Sequence, residues 1–449
     1  MSFLPLSSET FRDLLNGEAV STSIPCCAYS FLKEAKDAFY GGKMKGRITM
    51  KKIKFGVVGT VRGLTFVKLL QVFGEQVCLH AVCENNAEKA EAIKQEIPEN
   101  VRVYSDYDEF LASGIEAVVL CNFFHEHASF AIKALDRGIH VLSETTAAPT
   151  LAECVALCRA AEQSTAKYML GANCPYKRAL QFMHREIKSG KLGTPFYAEG
   201  EYLHWSPNGK PYADDSTHWR RMMPGTYYNM HTLGTLMYVT ETVPKRVSAA
   251  VVRVPGAAQR RNRLIDHDGA KVLCEMDNGA MFDVTGCSYF GPTSKWFRII
   301  GEKGVLETKR YDATEVHFIP AENEYFPDEP IPPYEVYKPK YEELDMAPKE
   351  EFDSYTEEQM RIGHGGVDFW MLRNFICYLK GEYEPFFNVY RATALSAAAI
   401  LAWRSVLNGG LSYDIPDFTK EENRRQYEND FLSPFASEES GNLISRKAK

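Results

Sequence analysis

From Lys52 onward, short apolar runs alternate with stretches whose apolar positions recur at helical spacing. IKFGVV (53–58) reads as a strand followed by a helix in LTFVKLLQVF, and VCLHAVCE (77–84) as a second strand followed by a polar helix. VRVY, EAVVLC (116–121), IHVLSE (139–144) and KYMLGAN (167–173) continue the series. Between the last three lie helices in HASFAIKALDRG and TLAECVALCRAAEQ, the second starting near Thr150. Near-continuous apolar strands, each followed by a helix, predict a parallel sheet covered on both faces.

The pattern changes after Asn173. A helix in KRALQFMHREIKSG leads to a longer strand, PFYAEGEYLHW. KVLCEMDNGAMFDVTGCSY reads as a hairpin around Asn278-Gly279, and KWFRIIGEKGVLET as another around Glu302 to Gly304. Residues 320–360, rich in proline and acidic residues, read as a long surface loop, and helices follow in VDFWMLRNFICYLKG and VYRATALSAAAILAWRSVLNGG. The expected architecture is an α/β Rossmann domain (50–172) plus an α+β domain with a large, mainly antiparallel open sheet (173–425), then a tail (426–449). Residues 1–49 show no sustained period and no signal-peptide pattern. They read either as a loosely ordered extension or as a mis-assigned start, since MKKIKFGVVG from Met50 resembles a natural beginning.

Composition narrows this picture. The 449 residues are 45% hydrophobic and 25% charged with a net charge of −7, so no electrostatic footprint for nucleic acid exists. No apolar run reaches membrane-spanning length. Eleven cysteines without C-x-x-C spacing fit free thiols in a reducing cytoplasm better than a disulfide framework or a zinc site.

The first strand ends in GVVGTVRG, with Gly56, Gly59 and Gly63. Glycines there let the backbone approach a pyrophosphate, although the turn is one residue short of G-x-G-x-x-G. Glu84 ends the second strand; an acid there accepts from ribose hydroxyls and repels a 2′-phosphate, favouring NAD over NADP. The bland readings are an ordinary strand–helix turn and a solvated acid. His125, Glu126 and His127 read as helix caps or nucleotide contacts more readily than as metal ligands. Tyr176 lies just beyond the sixth strand, at the carboxyl edge where ligands bind. His231, at the entry of a helix, is either a proton-exchanging group or a hydrogen-bonded core histidine.

The two-domain plan and HEHASFAIKALDRGIHVLSE resemble the Gfo/Idh/MocA oxidoreductase superfamily over about residues 52–425. Most of its dehydrogenases carry Glu-Lys-Pro after strand five and an Asp four residues before a catalytic His. Here those positions read Glu144-Thr145-Thr146 and Tyr227. ETTAAPTLAEC, NCPYKR, GEYLHW, Trp219-Arg220, Tyr228-x-x-His231, GHGGVDFWMLRNFICYL, NVYRATALSA and IPDFT are similar to the NAD-dependent α-N-acetylgalactosaminidase branch, glycoside hydrolase family 109.

The resemblance implies NAD contacts at Gly59, Arg62, Gly63, Glu84, Phe124, His127, Glu144 and Asn173. It implies sugar contacts at Tyr202, Arg220, Tyr228 and His231, with catalytic roles for Tyr176 as base and for His231; from the residues themselves no metal is expected. It also implies sheet-to-sheet homodimers or homotetramers acting on a small carbohydrate. Phe124 stands near where the family has tryptophan, and Thr293 where it has a substrate-binding tyrosine, which leaves the sugar open. The expected reaction is redox-neutral glycoside hydrolysis through transient C3 oxidation, C2 proton abstraction and elimination. A plain sugar or polyol dehydrogenase and a silent NAD- and sugar-binding protein are the alternatives.

Overall fold

A computed structural model of the chain describes residues 51–204, 219–253, 269–288, 292–321, 334–344 and 346–435. The expectations for residues 1–49 and for the last residues, 436–449, lie outside these. β1 (Ile53–Val58), β2 (Val77–Cys83), β3 (Arg102–Tyr104), β4 (Ala117–Leu120), β5 (His140–Glu144) and β6 (Tyr168–Gly171) pair in the order β3-β2-β1-β4-β5-β6, all parallel. The order reverses beside β1, and this switch point opens a crevice at the carboxyl ends of β1 and β4. β4 is buried at every position, which is why it reads as an unbroken apolar run.

Four of the intervening helices are α1 (Thr60–Val72), α2 (Ala87–Ile93), α4 (His127–Leu135) and α5 (Leu151–Gln163). α1 starts four residues before the sequence pattern suggests, because its first turn carries the glycine-rich loop rather than core residues. Thr150 caps α5, accepting from the Glu153 amide at 3.1 Å. A short α3 (Tyr107–Leu111), capped by Asp106, has no counterpart in the sequence reading.

The second sheet has nine strands in the order β14-β13-β12-β11-β7-β10-β9-β8-β15. β7 (Pro195–Leu203) is central and runs parallel to β10 (Met281–Ser288), and the other pairs are antiparallel. β9 (Gly269–Met276) and β10 form the hairpin expected at Asn278-Gly279, with Gly279 at φ 83°. β11 (Ser294–Gly301) and β12 (Gly304–Lys309) form the second hairpin. β8 (Pro244–Val252), β13 (Asp312–Pro320), β14 (Glu335–Tyr337) and β15 (Tyr413–Asp414) complete the sheet and were not read from the sequence. α6 (Arg178–Lys188) and α7 (Leu233–Thr240) pack on it: a Cβ on Gly200 of β7 would meet Thr232 and Leu236.

Two expectations need correction. The stretch 320–360 is more than a surface loop: it supplies β14, and it buries Leu344, Met346 and Phe352. Residues 426–435 are not a free tail. Asp430 pairs with Arg404 and its carbonyl accepts from Ala152, while Phe435 is buried against Phe124 and Tyr227. The boundary at 172/173 is likewise bridged by late helices. α8 (Val367–Lys380) reaches the first turn of α1 through Asp368, and α9 (Val389–Leu407) joins the turn after β5 and α5 through Ser396–Thr146 and Thr393–Cys158 contacts.

Candidate active site

A cavity of about 560 Å3 runs from the carboxyl ends of β1, β2, β4 and β5 to the inner face of β7 and β11. Its nucleotide end is built on Gly59, which sits at φ 79°. A Cβ there would come within 2.7 Å of the Cys121 carbonyl oxygen, so only glycine lets the turn lie this close to β4. Glu84 is buried beside it. Its Oε2 accepts from the Thr60 amide at 3.0 Å and hydroxyl at 2.7 Å, and its Oε1 from the Asn86 amide at 3.1 Å. A carboxylate held by three donors at the end of β2 suits ribose hydroxyls and opposes a 2′-phosphate. These residues fit an adenine dinucleotide.

At mid-cavity, Arg62 is clamped between two carboxylates. Its Nε and Nη2 donate to Glu144 at 2.9 and 2.6 Å, and its Nη1 and Nη2 to Asp368 at 2.7 Å each. Burial works against the Arg62 charge, but Glu144 and Asp368 outweigh it and raise its pKa. Asp368 also accepts from Asn173 at 3.1 Å and meets His364 at 2.8 Å. Burial opposes its ionisation, yet the hydrogen bonds from His364 and Arg62 hold it well below the usual carboxylate range. His127 is buried, its ring nitrogens 3.0 Å from the Thr146 and 3.3 Å from the Asn122 carbonyl oxygens. Burial pushes it down to about 4, so it is a neutral ring that fixes the turn after β5.

The far end is aromatic and basic. His231 stacks on Tyr202 at 4.6 Å, meets Tyr228 edge-on at 4.8 Å, and its Nδ1 lies 3.3 Å from the Cys174 sulfur. Burial first, and then Lys295, push its pKa down to about 3. At neutral pH the ring is therefore uncharged and can accept a proton but has none to donate as an imidazolium. The Arg220 guanidinium lies 4.3 Å from the Trp219 ring centroid and 5.5 Å from that of Tyr228. Trp219 stacks on Phe124 at 4.9 Å, where the family resemblance has a tryptophan.

Of the thirteen residues singled out from sequence, eleven line this cavity. The other two do not. Gly63 faces β1, where a Cβ would meet Val57 at 2.7 Å, so it serves close packing of α1 on the sheet. Tyr176 is buried beyond the wall, beside Tyr238, Tyr383 and Asn374, and burial followed by these phenols pushes its pKa well above the ordinary value. A phenol so placed is neither accessible from the cavity nor ionised. Thr145 and Thr146 occupy the turn after β5; Thr145 lines the cavity, whereas the Thr146 hydroxyl bonds Ser396 at 2.8 Å. Tyr227 donates to the Pro149 carbonyl and belongs to the core.

Sequence reasoning passed over Asp368, His364, Lys177 and Lys295. All but Lys295 lie inside stretches quoted above for their resemblance, and only their three-dimensional neighbours reveal their roles. Among the described residues no group of three His, Cys, Asp or Glu residues is arranged to hold a metal ion, and no helix is long and apolar enough to cross a membrane. The described cysteines are free thiols.

Residues 53–172 match the oxidoreductase family with the NAD-binding Rossmann fold. Residues 180–307 match the GFO/IDH/MocA C-terminal domain, and 270–425 the C-terminal domain of glycosyl hydrolase 109. Residues 53–172 are thus an NAD-binding domain, and the matches along the chain support an enzyme of the Gfo/Idh/MocA type. Its resemblance to the family 109 glycosidases extends over most of its length. A glycosyl hydrolase family 109 protein of Shewanella sp. (strain ANA-3) is 25% identical, with 83% of this chain and 86% of that protein covered. The alpha-N-acetylgalactosaminidase of Shewanella oneidensis (strain MR-1) is 24% identical over the same shares. Levoglucosan dehydrogenase, solved with NADH and levoglucosan, shares the fold with a TM-score of 0.66 at 18% identity, covering 82% of this chain and all of that one. The activity class supported is an NAD-dependent glycosidase or sugar oxidoreductase.

Proposed function

We propose that the enzyme hydrolyses a glycoside without net redox change, by transient oxidation at C3, loss of the C2 proton and elimination of the C1 substituent. The observation that carries this reading is His231, a neutral base between Tyr202 and Tyr228 in the same cavity as Gly59 and Glu84. A C2 proton beside an ordinary hydroxyl-bearing carbon is not acidic, and a ketone at C3 makes it so. Bound NAD supplies the oxidising and re-reducing chemistry at C3. His231 takes the C3 hydroxyl proton as the ketone forms and returns it at the end. Tyr202, Trp219 and Tyr228 offer ring faces to the sugar, with Arg220 held over two of them. Glu144 and Asp368 hold Arg62 in place, so the mid-cavity carries fixed charges rather than mobile ones. Tyr176 takes no part.

The test is turnover of a panel of 4-nitrophenyl glycosides in heavy water with nicotinamide absorbance followed in parallel. Aglycone release with deuterium at C2 and no lasting NADH is expected. Aglycone release with no label refutes elimination, and accumulating NADH without aglycone identifies a dehydrogenase, the activity named for the levoglucosan enzyme.

We also infer self-association across the outer face of the nine-stranded sheet. That face points away from the helices and carries exposed Leu273 and Met281 among ion pairs such as Lys271–Asp283 at 2.6 Å. A monomeric mass by light scattering at micromolar concentration would contradict this.

A further inference from the structure

Elimination needs a base at C2, and the phenol expected there is turned into the core. The residue after it is not. The short 3-10 turn Cys174–Tyr176 ends at Lys177, whose backbone is extended (φ −68°, ψ 135°), so the chain buries Tyr176 and brings Lys177 to the cavity wall. From the opposite wall comes Lys295 of β11, paired across the sheet with Tyr202 and with its Nζ 5.1 Å from the Tyr202 ring centroid. The two amines meet, and among the described residues neither forms an ion pair with a carboxylate.

We propose that Lys177 is the base that removes the C2 proton, with Lys295 as the positioning residue beside it. The assignment rests on the glycosidase reading above. Burial in the first place, and then the neighbouring Lys295 charge, push the Lys177 amine down to about 8, against about 10.4 for a free lysine. The other titratable or charged groups on the surrounding walls include Cys174, Tyr202, His204, Arg220, Tyr228, His231, Glu144 and His364. Cys174 raises the amine's pKa and so opposes Lys295. In the step itself, the Lys177 lone pair takes the C2 proton and the C2–H electrons form the C1–C2 double bond. The C1–O pair departs with the aglycone oxygen. When water then adds, its hydroxyl goes to C1, the Lys177 ammonium returns a proton to C2, and the remaining water proton neutralises the aglycone. A lysine is thus restored to the chemistry, from the turn after β6 rather than the turn after β5.

The first experiment needs no substrate. Competitive acetylation with trace acetic anhydride, read by mass spectrometry, gives the protonation midpoint of each lysine. Lys177 is expected to titrate near 8, and its midpoint should rise in Lys295→Gln, because the like charge is removed. An ordinary lysine midpoint, or one unmoved by Lys295→Gln, overturns the proposal.

The second experiment measures deuterium entry at C2 of the 4-nitrophenyl glycosides alongside reduction of bound nicotinamide. Lys177→Met should lower C2 exchange by about a hundredfold or more while oxidation at C3 persists. Lys177→Arg should not rescue it, and Tyr176→Phe should stay within a few-fold of wild type. Exchange that survives Lys177→Met overturns the base assignment alone. A wild-type enzyme that neither oxidises nor exchanges any glycoside overturns the glycosidase reading and this one with it.

Discussion

The two ends of the cavity are built on different principles. At the nucleotide end Glu84 is satisfied from close by, by Thr60 and Asn86, and between the ends Glu144 is held by Arg62. Glu84 and its partners lie within one helix and one strand of each other along the chain, so local sequence carries that part of the design. At the sugar end the two lysines face each other without a carboxylate partner among the described residues, and His231 is held neutral between aromatic rings. The residues come from the turn after β6, from β7, from the 225–231 turn and from β11. One end is preorganised to hold a dinucleotide firmly. The other holds His231 without its proton and brings Lys177 down to about 8, nearer the pH at which it can take one.

The comparison breaks most visibly if the clamp between the two ends is cut. Asp368→Asn removes a charge that Arg62, His364 and Asn173 all depend on. Breaking a buried pair of this kind costs about 3–5 kcal/mol, so denaturant unfolding should show a loss of that order. A loss below about 1 kcal/mol would mean that the clamp is solvated.

His231→Ala tests the sugar end by itself. It should slow glycoside oxidation by about a hundredfold or more while shifting the NAD dissociation constant by less than about threefold. An equal loss of NAD affinity would show that the two ends are not separable.

Acid should expose a stability gradient. Burial lowers the folded pKa values of His125, His127 and His231 to between about 3 and about 4, against about 6.5 for a free histidine. The unfolded chain therefore binds more protons between those values, and stability falls as pH drops from about 6.5 toward about 4. Each such histidine contributes at most about 1.4 kcal/mol per pH unit. The midpoint of thermal unfolding should drop between pH 7 and pH 5, and His127→Gln should flatten that slope.

The smallest effect is expected at the nucleotide end. Glu84→Ala should narrow the preference for NAD over NADP by about tenfold, roughly 1.4 kcal/mol, in a fluorescence titration. An unchanged ratio would move the ribose contact elsewhere.

Local pattern made the six parallel strands legible, because buried parallel strands announce themselves as apolar runs and each crossover helix follows at once. The two hairpins were legible for a similar reason: Asn278-Gly279 and the Glu302–Gly304 turn mark them. β8 was missed because its alternation is diluted by lysine and arginine on the outer face. β14 and β15 are only three and two residues long and exist through pairing with distant strands. At the site, residues at strand ends and turns such as Glu84, Glu144 and His231 could be named from their positions alone. Asp368 could not, since it lies 306 residues from Arg62, and nothing along the chain says that α8 returns to the first glycine turn.

By itself the sequence determined that a parallel dinucleotide-binding sheet comes first and that a mainly antiparallel sheet follows. Those features depend on neighbours within about one βα unit, and short-range periodicity records them. The tertiary structure alone decided which of two adjacent residues, Tyr176 or Lys177, faces the cavity. That choice turns on how one short 3-10 turn packs between α7, α8 and the core. The same packing sets the protonation of both, since burial lifts a phenol out of reach of ionisation, while burial and then the neighbouring Lys295 charge push a lysine toward its neutral form.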